Sequence, residues 1–198
     1  MKPLSGGPEV RKSGGLITAM PIVWLTGIPG SGKTTLAQTV AGRLRAAGRG
    51  CLLIDGDVLR HDLSRDLGFS LADRAEQARR AAAVAAIAAD QGLIALVALV
   101  SPYAAHRAAA YAALAPRPVL EVHVATPAAA CAARDQRGLW TSAPLLTGRD
   151  APYEAPQAPT LRLDLSYLDP EQAASMILNR LPDGFSPIPS ADRDRSRP

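Results

Sequence analysis

One glycine-rich segment constrains the fold of this chain more than any other feature. It fits the pattern G-x-x-x-x-G-K-[ST] at every fixed position. Its residues are Gly27, Ile28, Pro29, Gly30, Ser31, Gly32, Lys33 and Thr34. The apolar residues 21–26 precede it, and a stretch typical of a helix, residues 33–47, overlaps its end. A strand, a glycine-rich turn and a helix in this order form the context in which the pattern binds the phosphates of a nucleotide.

The residue types of this phosphate-binding loop (P-loop, residues 27–34) each suit a nucleoside triphosphate. Glycines let consecutive backbone N–H groups turn toward phosphate oxygens, and the N-terminus of the following helix adds partial positive charge. Lys33 is predicted to reach the outer phosphates, and the hydroxyl of Thr34 is predicted to ligate Mg²⁺. The alternative is a glycine-rich turn without a ligand, which the match of both pattern and context disfavours.

Apolar runs alternate with helical patterns along the rest of the chain. The predicted strands are residues 21–26, 51–54, 93–100, 119–125 and 161–165, and the predicted helices are residues 33–47, 71–91, 102–114, 126–134 and 171–181. This alternation, together with the P-loop, predicts an α/β fold of three layers, a P-loop NTPase fold whose five-stranded, mainly parallel sheet carries helices on both faces. In P-loop folds of this class the P-loop strand is central, so we expect residues 93–100 to lie between it and residues 51–54.

The domain organisation follows from composition. Residues 19–182 are predicted to form one P-loop domain, residues 1–18 a flexible leader and residues 183–198 a disordered tail, because both ends are rich in Gly, Pro, Ser and charged residues. The alanine-rich residues 81–89 are interpreted as a helix packed closely on the sheet, since alanine is the best helix former.

Charge and cysteine content exclude several function classes. A net charge of +4 with dispersed arginines and 4% aromatic residues suits an anionic small molecule better than a nucleic acid. No run reaches the roughly 18 apolar residues of a membrane span, so no membrane partner is expected. Two cysteines, Cys51 and Cys131, exclude a disulfide scaffold and indicate the reducing cytoplasm.

A second candidate site follows the strand at residues 51–54. Asp55-Gly56-Asp57 stands at its carboxyl end, where ligands bind in parallel sheets. A carboxylate there can orient an acceptor hydroxyl, take its proton, or hold Mg²⁺ through water. The alternative is an ordinary turn with an Asp that caps the next helix, but the neighbouring P-loop favours the functional interpretation.

A series of short motifs between residues 19 and 181 points to one family. They are Trp24-Leu25-Thr26 before the P-loop, Asp55-Gly56-Asp57 with Arg60-His61, Arg65-Asp66-Leu67-Gly68-Phe69-Ser70, Asp73-Arg74 with Glu76 and Arg79-Arg80, Ser101-Pro102, Arg134-Asp135 with Gly138-Leu139, and Ala151-Pro152-Tyr153-Glu154-Ala155-Pro156. In this order and spacing they resemble the adenylylsulfate (APS) kinase family. The resemblance implies transfer of the γ-phosphate of ATP, with Mg²⁺, to the 3′-hydroxyl of APS to give PAPS.

The resemblance also implies a role for each matched residue. ATP would be held by the P-loop together with Thr35 and Arg134, and Mg²⁺ by Thr34. The implied catalytic residues are Lys33, Asp55, Asp57 and Ser101, and the implied acceptor-binding residues are Asp57, Arg60, Phe69, Arg74, Gln77, Val100 and Ser101. The family serine matched by Ser101 has been assigned as a phosphoserine intermediate, although direct in-line transfer explains P-loop kinases without one. A homodimer is compatible with the resemblance.

Alternatives stay open for the acceptor residues. Arg60 and Arg74 could instead be surface charges, and Phe69 could be a core residue. The chain also departs from the family where Val58 and Gln77 replace asparagines and where Ala104 replaces an arginine. The family's lid between its Gly-Leu and Pro-Tyr motifs carries several lysines, whereas residues 140–148 here are shorter and contain no Lys or Arg.

Three functions are therefore considered. The first is APS kinase. The second is an ATP-dependent kinase of another small alcohol, such as a nucleoside or a sulfur-containing specialised metabolite, which the edited lid would suit. The third is a non-catalytic nucleotide-binding protein, which the presence of Lys33, Thr34 and Asp55 disfavours.

Overall fold

A five-stranded parallel sheet forms the centre of the molecule. The computed structural model describes residues 20–136, 138–143 and 145–181, so the predicted leader (1–18) and tail (183–198) lie outside the described residues. The strands are β1 (Ile22–Thr26), β2 (Cys51–Asp55), β3 (Ile94–Ala98), β4 (Val119–Val124) and β5 (Leu161–Leu163). Their order is β2-β3-β1-β4-β5, and every neighbouring pair is parallel. The predicted fold class is confirmed, including β1 at the centre and β3 between β1 and β2.

Helices cover both faces of the sheet. They are α1 (Lys33–Ala46), α2 (Gly56–His61), α3 (Leu71–Asp90), α4 (Ala104–Leu114), α5 (Ala128–Ala133), α6 (Leu139–Ser142) and α7 (Pro170–Leu178). Buried side chains of α1 and α7 pack on one face, and those of α3 and α4 pack on the other. None of the helices within the described ranges is long and apolar enough to cross a membrane.

Each face of β1 buries its own set of side chains. Val23 and Leu25 lie in the layer of α1 and α7, and Ile22 and Trp24 lie in the layer of α3 and α4. A parallel strand buried on both sides must be continuously apolar, which explains the run before the P-loop. The buried face of α3 is almost wholly alanine, and these small side chains let the helix lie close to the sheet.

Two short helices were not predicted, and several boundaries differ. α2 follows β2 without a loop, because Asp55 ends the strand and caps the helix. α4 begins at Ala104 rather than at residue 102, because Ser101 has a positive φ of 42° and Tyr103 is extended. α5 and β5 are shorter than predicted, α7 covers 170–178 rather than 171–181, and α6 begins one residue before the predicted lid and forms its first part.

Parallel pairing decides where the candidate site residues meet. The carboxyl ends of β1, β2 and β3 share one edge of the sheet, where an open α/β sheet binds its ligands. The P-loop follows β1, Asp55 ends β2, and Val100 and Ser101 follow β3. The sheet thus brings three separate motifs to one edge.

Candidate active site

A cavity of about 800 Å³ opens at this edge of the sheet. The predicted site residues that line it are Pro29, Gly30, Gly32, Lys33, Thr34, Thr35, Asp55, Asp57, Arg60, Phe69, Arg74, Gln77, Val100, Ser101 and Arg134. Gly27, Ile28 and Ser31 do not line it; Gly27 and Ser31 are buried, and Ile28 is half-buried. The predicted donor and acceptor residues therefore face one shared cavity.

The P-loop is held tightly against its surroundings. Gly32, which precedes α1, has a φ of 101°, and a Cβ there would lie 2.8 Å from the Leu165 Cδ1 atom. Position 32 therefore requires glycine both for its conformation and for its space. No side chain caps the first turn of α1, so its backbone N–H groups stay available for an anion.

Lys33 is folded back onto the loop that it belongs to. Its Nζ atom donates to the carbonyl oxygens of Gly27 and Ile28, both at 2.9 Å, and its side chain is 8% exposed. Burial lowers the pKa of Lys33 to about 8, while Cys131, Asp57 and Asp55 oppose this change. A buried ammonium with carbonyl partners is ready to exchange them for phosphate oxygens.

The carboxylate of Asp55 connects the P-loop to α2. Its Oδ2 atom accepts from the Thr34 hydroxyl at 2.6 Å, and its Oδ1 atom accepts from the backbone N–H groups of Asp57 at 2.8 Å and Val58 at 3.4 Å. Asp55 is thus the N-cap of a helix, as the alternative held, and it also contacts the P-loop threonine. The carboxylate is buried at the floor of the cavity.

Two arginines and one phenylalanine form the opposite wall. The guanidinium carbon of Arg60 lies 4.4 Å from the centre of the Phe69 ring and that of Arg74 lies 5.6 Å from it. Phe69 is 59% exposed, so the core alternative for this residue is wrong. Burial, followed by the positive charge of Arg74, lowers the pKa of Arg60. Burial also lowers the pKa of Arg74. Two partly buried guanidinium groups in one cavity are a suitable site for an anion.

Gln77 and Ser101 complete the acceptor side. Gln77 is 4% exposed; its Nε2 atom donates to the Gly56 carbonyl at 3.4 Å, and its Oε1 atom has no partner within the described residues. The Ser101 Oγ atom accepts from Trp24 Nε1 at 3.2 Å. The serine oxygen therefore accepts a hydrogen bond from a residue of the core.

Arg134 and Trp140 brace the outer side of the P-loop. Arg134 donates to the carbonyl oxygens of Ser31 and Leu165, each at 3.2 Å, and Trp140 Nε1 donates to the carbonyl of Pro29 at 3.3 Å. Trp140 is the first residue of the lysine-free lid segment. This segment therefore contacts the P-loop through an indole group.

Two residues near the lid have roles that sequence reasoning missed. Arg149, directly after the lid segment, donates to the carbonyls of Trp140 and Ala143 and pairs with Asp150. Glu154 accepts from the backbone N–H of Ala104 at 2.7 Å and so caps α4, whose own N-cap Tyr103 provides no side-chain bond. Because no residue directly before α4 can cap it with a side chain, the sequence indicated that a more distant residue supplies the cap.

A sequence model of the family described as adenylylsulphate kinase matches residues 19–164. The chain is 41% identical over 162 residues to the adenylyl-sulfate kinase of Geotalea uraniireducens, covering 79% of this chain and 78% of that relative. The chain belongs to the adenylylsulphate kinase family. Both the predicted resemblance and the predicted fold are thereby confirmed.

A solved structure and a longer relative add to this adenylylsulphate kinase assignment. The structure of the Mycobacterium tuberculosis APS kinase CysC in complex with AMPPNP and APS matches with a TM-score of 0.79 and 40% identity, covering 81% of this chain and 96% of that chain. The bifunctional enzyme NodQ of Azospirillum brasilense is 43% identical over 165 residues. The match covers 81% of this chain but only 27% of NodQ, so it concerns one part of that longer protein.

Proposed function

We propose that this chain transfers the γ-phosphate of ATP to the 3′-hydroxyl of APS and releases ADP and PAPS. The observation that carries the proposal is the shared cavity, in which the P-loop faces the cluster of Arg60, Phe69 and Arg74. A nucleotide with an anionic phosphosulfate needs both an aromatic surface and paired guanidinium groups. The family assignment supports the same reaction.

The donor side uses the P-loop. The N–H groups at the start of α1 would hold the phosphates of ATP, and Lys33 would leave the carbonyls of Gly27 and Ile28 to contact the outer phosphate oxygens. The charge that develops during transfer is then met by a cation and backbone dipoles already in place. Thr35 and Arg134, which line the same cavity, would complete the ATP site.

The residues present fit a magnesium ion. The hydroxyl of Thr34 and the carboxylate of Asp55 lie within hydrogen-bond distance of each other beside the P-loop, and magnesium prefers such oxygen ligands. Thr34 Oγ1 would hold the ion, which supplies positive charge to the phosphates when it is bound with ATP.

On the acceptor side, Asp55 acts as the positioning carboxylate and base. Rotation of the Thr34 side chain would free Asp55 Oδ2, which then accepts the hydrogen bond of the acceptor hydroxyl. The acceptor oxygen forms a bond to the γ-phosphorus, the bond from that phosphorus to the β-phosphate oxygen breaks, and the hydroxyl proton passes to Asp55. ADP leaves with the electron pair of the broken bond. Asp57, Gln77, Val100 and Ser101 shape the acceptor side.

The test is a coupled ADP-release assay with APS at millimolar concentration, compared with a panel of nucleosides and small alcohols. Turnover with APS and formation of PAPS support the proposal. Lys33→Ala should abolish turnover, because the outer phosphates lose their cation. ADP release with another alcohol but none with APS would refute it.

A second candidate is the kinase of a smaller or less anionic alcohol. It is favoured by the unpartnered Oε1 atom of Gln77 and by the lack of Lys or Arg in residues 140–148. The same panel discriminates the two candidates, since each predicts a different preferred acceptor.

Three further predictions accompany the function. Residues 19–182 would form the catalytic domain, the cytoplasm would be its compartment, as the two free cysteines suggest, and the enzyme would be a homodimer. Light scattering coupled to size-exclusion chromatography tests the last of these.

A further inference from the structure

The backbone of Ser101 is held in an unusual conformation. Its φ is 42°, and among the described residues other than glycine it alone has a positive φ. Residues with a Cβ occupy this region at a cost and stay there only when their surroundings hold them. Ser101 directly follows Val100 at the carboxyl end of the sheet, and both line the cavity. The strained peptide is therefore part of the acceptor wall.

The guanidinium group of Arg107 binds the carbonyl group of Ser101. Arg107 Nη1 donates to the Ser101 carbonyl at 2.8 Å, and the neighbouring carbonyl of Val100 accepts from the Thr26 hydroxyl at 2.7 Å. A hydrogen bond from a guanidinium is stronger than one between neutral groups. Arg107 thus provides the strongest of the contacts that fix the turn after β3.

Arg107 is itself fixed by a carboxylate on the sheet. Its side chain is 4% exposed, and its Nε atom lies 3.1 Å from Glu121 Oε1, which also accepts from the Tyr111 hydroxyl at 2.9 Å. The planar guanidinium pairs with Glu121 through one nitrogen and with Ser101 through another. A lysine ammonium in its place would be a single point of charge and could not reproduce this planar arrangement of two donors aimed at two partners.

We propose that Arg107 is a positioning residue for the acceptor. Through the Ser101 carbonyl it keeps the turn after β3 in its left-handed conformation, and the shape of this turn sets how APS fits against Val100 and Ser101. The proposal rests on APS being the acceptor. Arg107 itself does not line the cavity, whereas Val100 and Ser101 do; its effect is specific to the acceptor because the turn it fixes lies on that side of the cavity.

The first experiment compares Arg107→Lys and Arg107→Met with the wild type. The KM for APS should rise about tenfold or more, the scale of losing a hydrogen bond to a charged group, while the KM for ATP stays within about twofold. Arg107→Lys keeps a cation beside Glu121 and so protects the fold. Melting temperatures are measured for each variant, and rates are expressed per folded molecule.

Arg117→Met is the matched control. Arg117 also pairs with a carboxylate, Asp90, and also donates to a backbone carbonyl, that of Leu114, but it does not line the cavity or contact a residue that does. It should lower the melting temperature without changing either KM. Equal increases in both KM values for Arg107→Lys, or an unchanged KM for APS, would overturn the proposal.

A double-mutant cycle with Ser101→Gly tests whether Arg107 changes the KM for APS through its contact with Ser101. Glycine adopts a positive φ without cost, so the turn no longer needs to be held. In the Ser101→Gly background, Arg107→Lys should raise the KM for APS by less than about threefold, since residues that act through one contact are not additive. Additive effects would show that Arg107 does not act through Ser101.

The outcomes for the two proposals are distinguishable. If the wild type does not phosphorylate APS, the proposed function fails. The same cycle is then run with the alcohol of the panel that the protein does phosphorylate, and additive effects there refute the role of Arg107.

Discussion

The Thr34 hydroxyl donates to the Asp55 carboxylate at 2.6 Å, across the gap between the P-loop and the second strand. This hydrogen bond joins two motifs that lie 21 residues apart in sequence. The bond keeps one carboxylate oxygen of Asp55 beside the position where phosphate would be transferred. The other oxygen caps α2, so the carboxylate cannot rotate freely.

Asp55→Asn should separate the chemical role of this residue from its structural role. Asparagine caps helices as well as aspartate does, so we expect the melting temperature to change little. The amide cannot accept a proton, so kcat should fall by on the order of 10²-fold, with ATP affinity nearly unchanged. Asp90→Asn makes the same change at the far end of α3 and should leave kcat intact. If Asp55→Asn kept most of the wild-type kcat, its role would be capping alone.

Lys33 should take up a proton when ATP binds. Burial lowers the pKa of Lys33 to about 8. Contacts with the phosphates of ATP would raise this pKa again. ATP affinity should therefore fall as the pH rises above 8, and binding at pH 8.5 should be accompanied by proton uptake. Calorimetry in two buffers with different ionisation enthalpies measures this uptake directly.

Lys33→Arg is the control for proton uptake, because arginine stays charged throughout this pH range. The variant should bind ATP with no proton uptake at pH 8.5. Identical binding enthalpies in both buffers for the wild type would contradict the expectation.

Arg60→Ala and Arg74→Ala should each weaken APS binding. Each variant removes a charge-assisted contact worth roughly 1.5–3 kcal/mol, which corresponds to about a ten- to hundredfold increase in the KM for APS. The KM for ATP should change far less. Arg79→Ala, which removes an exposed arginine paired with Glu76, serves as the control. Unchanged KM values for APS in both variants would show that Arg60 and Arg74 are surface charges that do not bind the acceptor.

His123 should make the protein sensitive to acid. Burial, followed by the charges of Arg162 and Arg107, lowers its pKa to about 4, so it is neutral in the folded protein at pH 5. The unfolded chain binds a proton at His123 below about pH 6.5. The free energy of unfolding should therefore decrease as the pH falls from 6.5 toward 4, by at most about 3 kcal/mol from this group.

Urea unfolding at pH 7 and pH 4.5 measures this contribution as a difference between variants. His123→Gln should lose less stability between the two pH values than the wild type does. His61→Gln, at an exposed position, should lose as much as the wild type. Equal losses in all three proteins would show that His123 is not the sensitive group.

The strands and helices could be predicted because they depend on local patterns, and the strand order was expected because P-loop folds of this class share it. Continuous apolar runs, glycines at turns and the P-loop specify strands, breaks and the central strand. The short helices α2 and α6 could not, because six residues and four residues are too few to show helical periodicity. α2 depends on the cap from Asp55, and the sequence Asp55-Gly56-Asp57 fits an ordinary turn as well as it fits the start of a helix.

Most of the predicted site residues line the cavity, but the contacts that they make were not predicted. The motifs identify Lys33, Arg134 and Ser101, yet no pattern indicates that Lys33 and Arg134 lie on P-loop carbonyls or that Trp24 donates to Ser101. The pair of Arg107 and Glu121 joins α4 to β4. Its partner becomes visible only when the sheet is assembled, so no local pattern in the sequence indicates this pair.

The placement of Trp140 on the P-loop gives the chain an optical signal of its own. The chain contains two tryptophans. Trp24 is fully buried in the core, whereas the Trp140 indole donates to the Pro29 carbonyl. A nucleotide that enters the loop changes the surroundings of Trp140 far more than those of Trp24. Stopped-flow measurement of intrinsic emission could therefore follow nucleotide arrival and release in real time on the unlabelled protein.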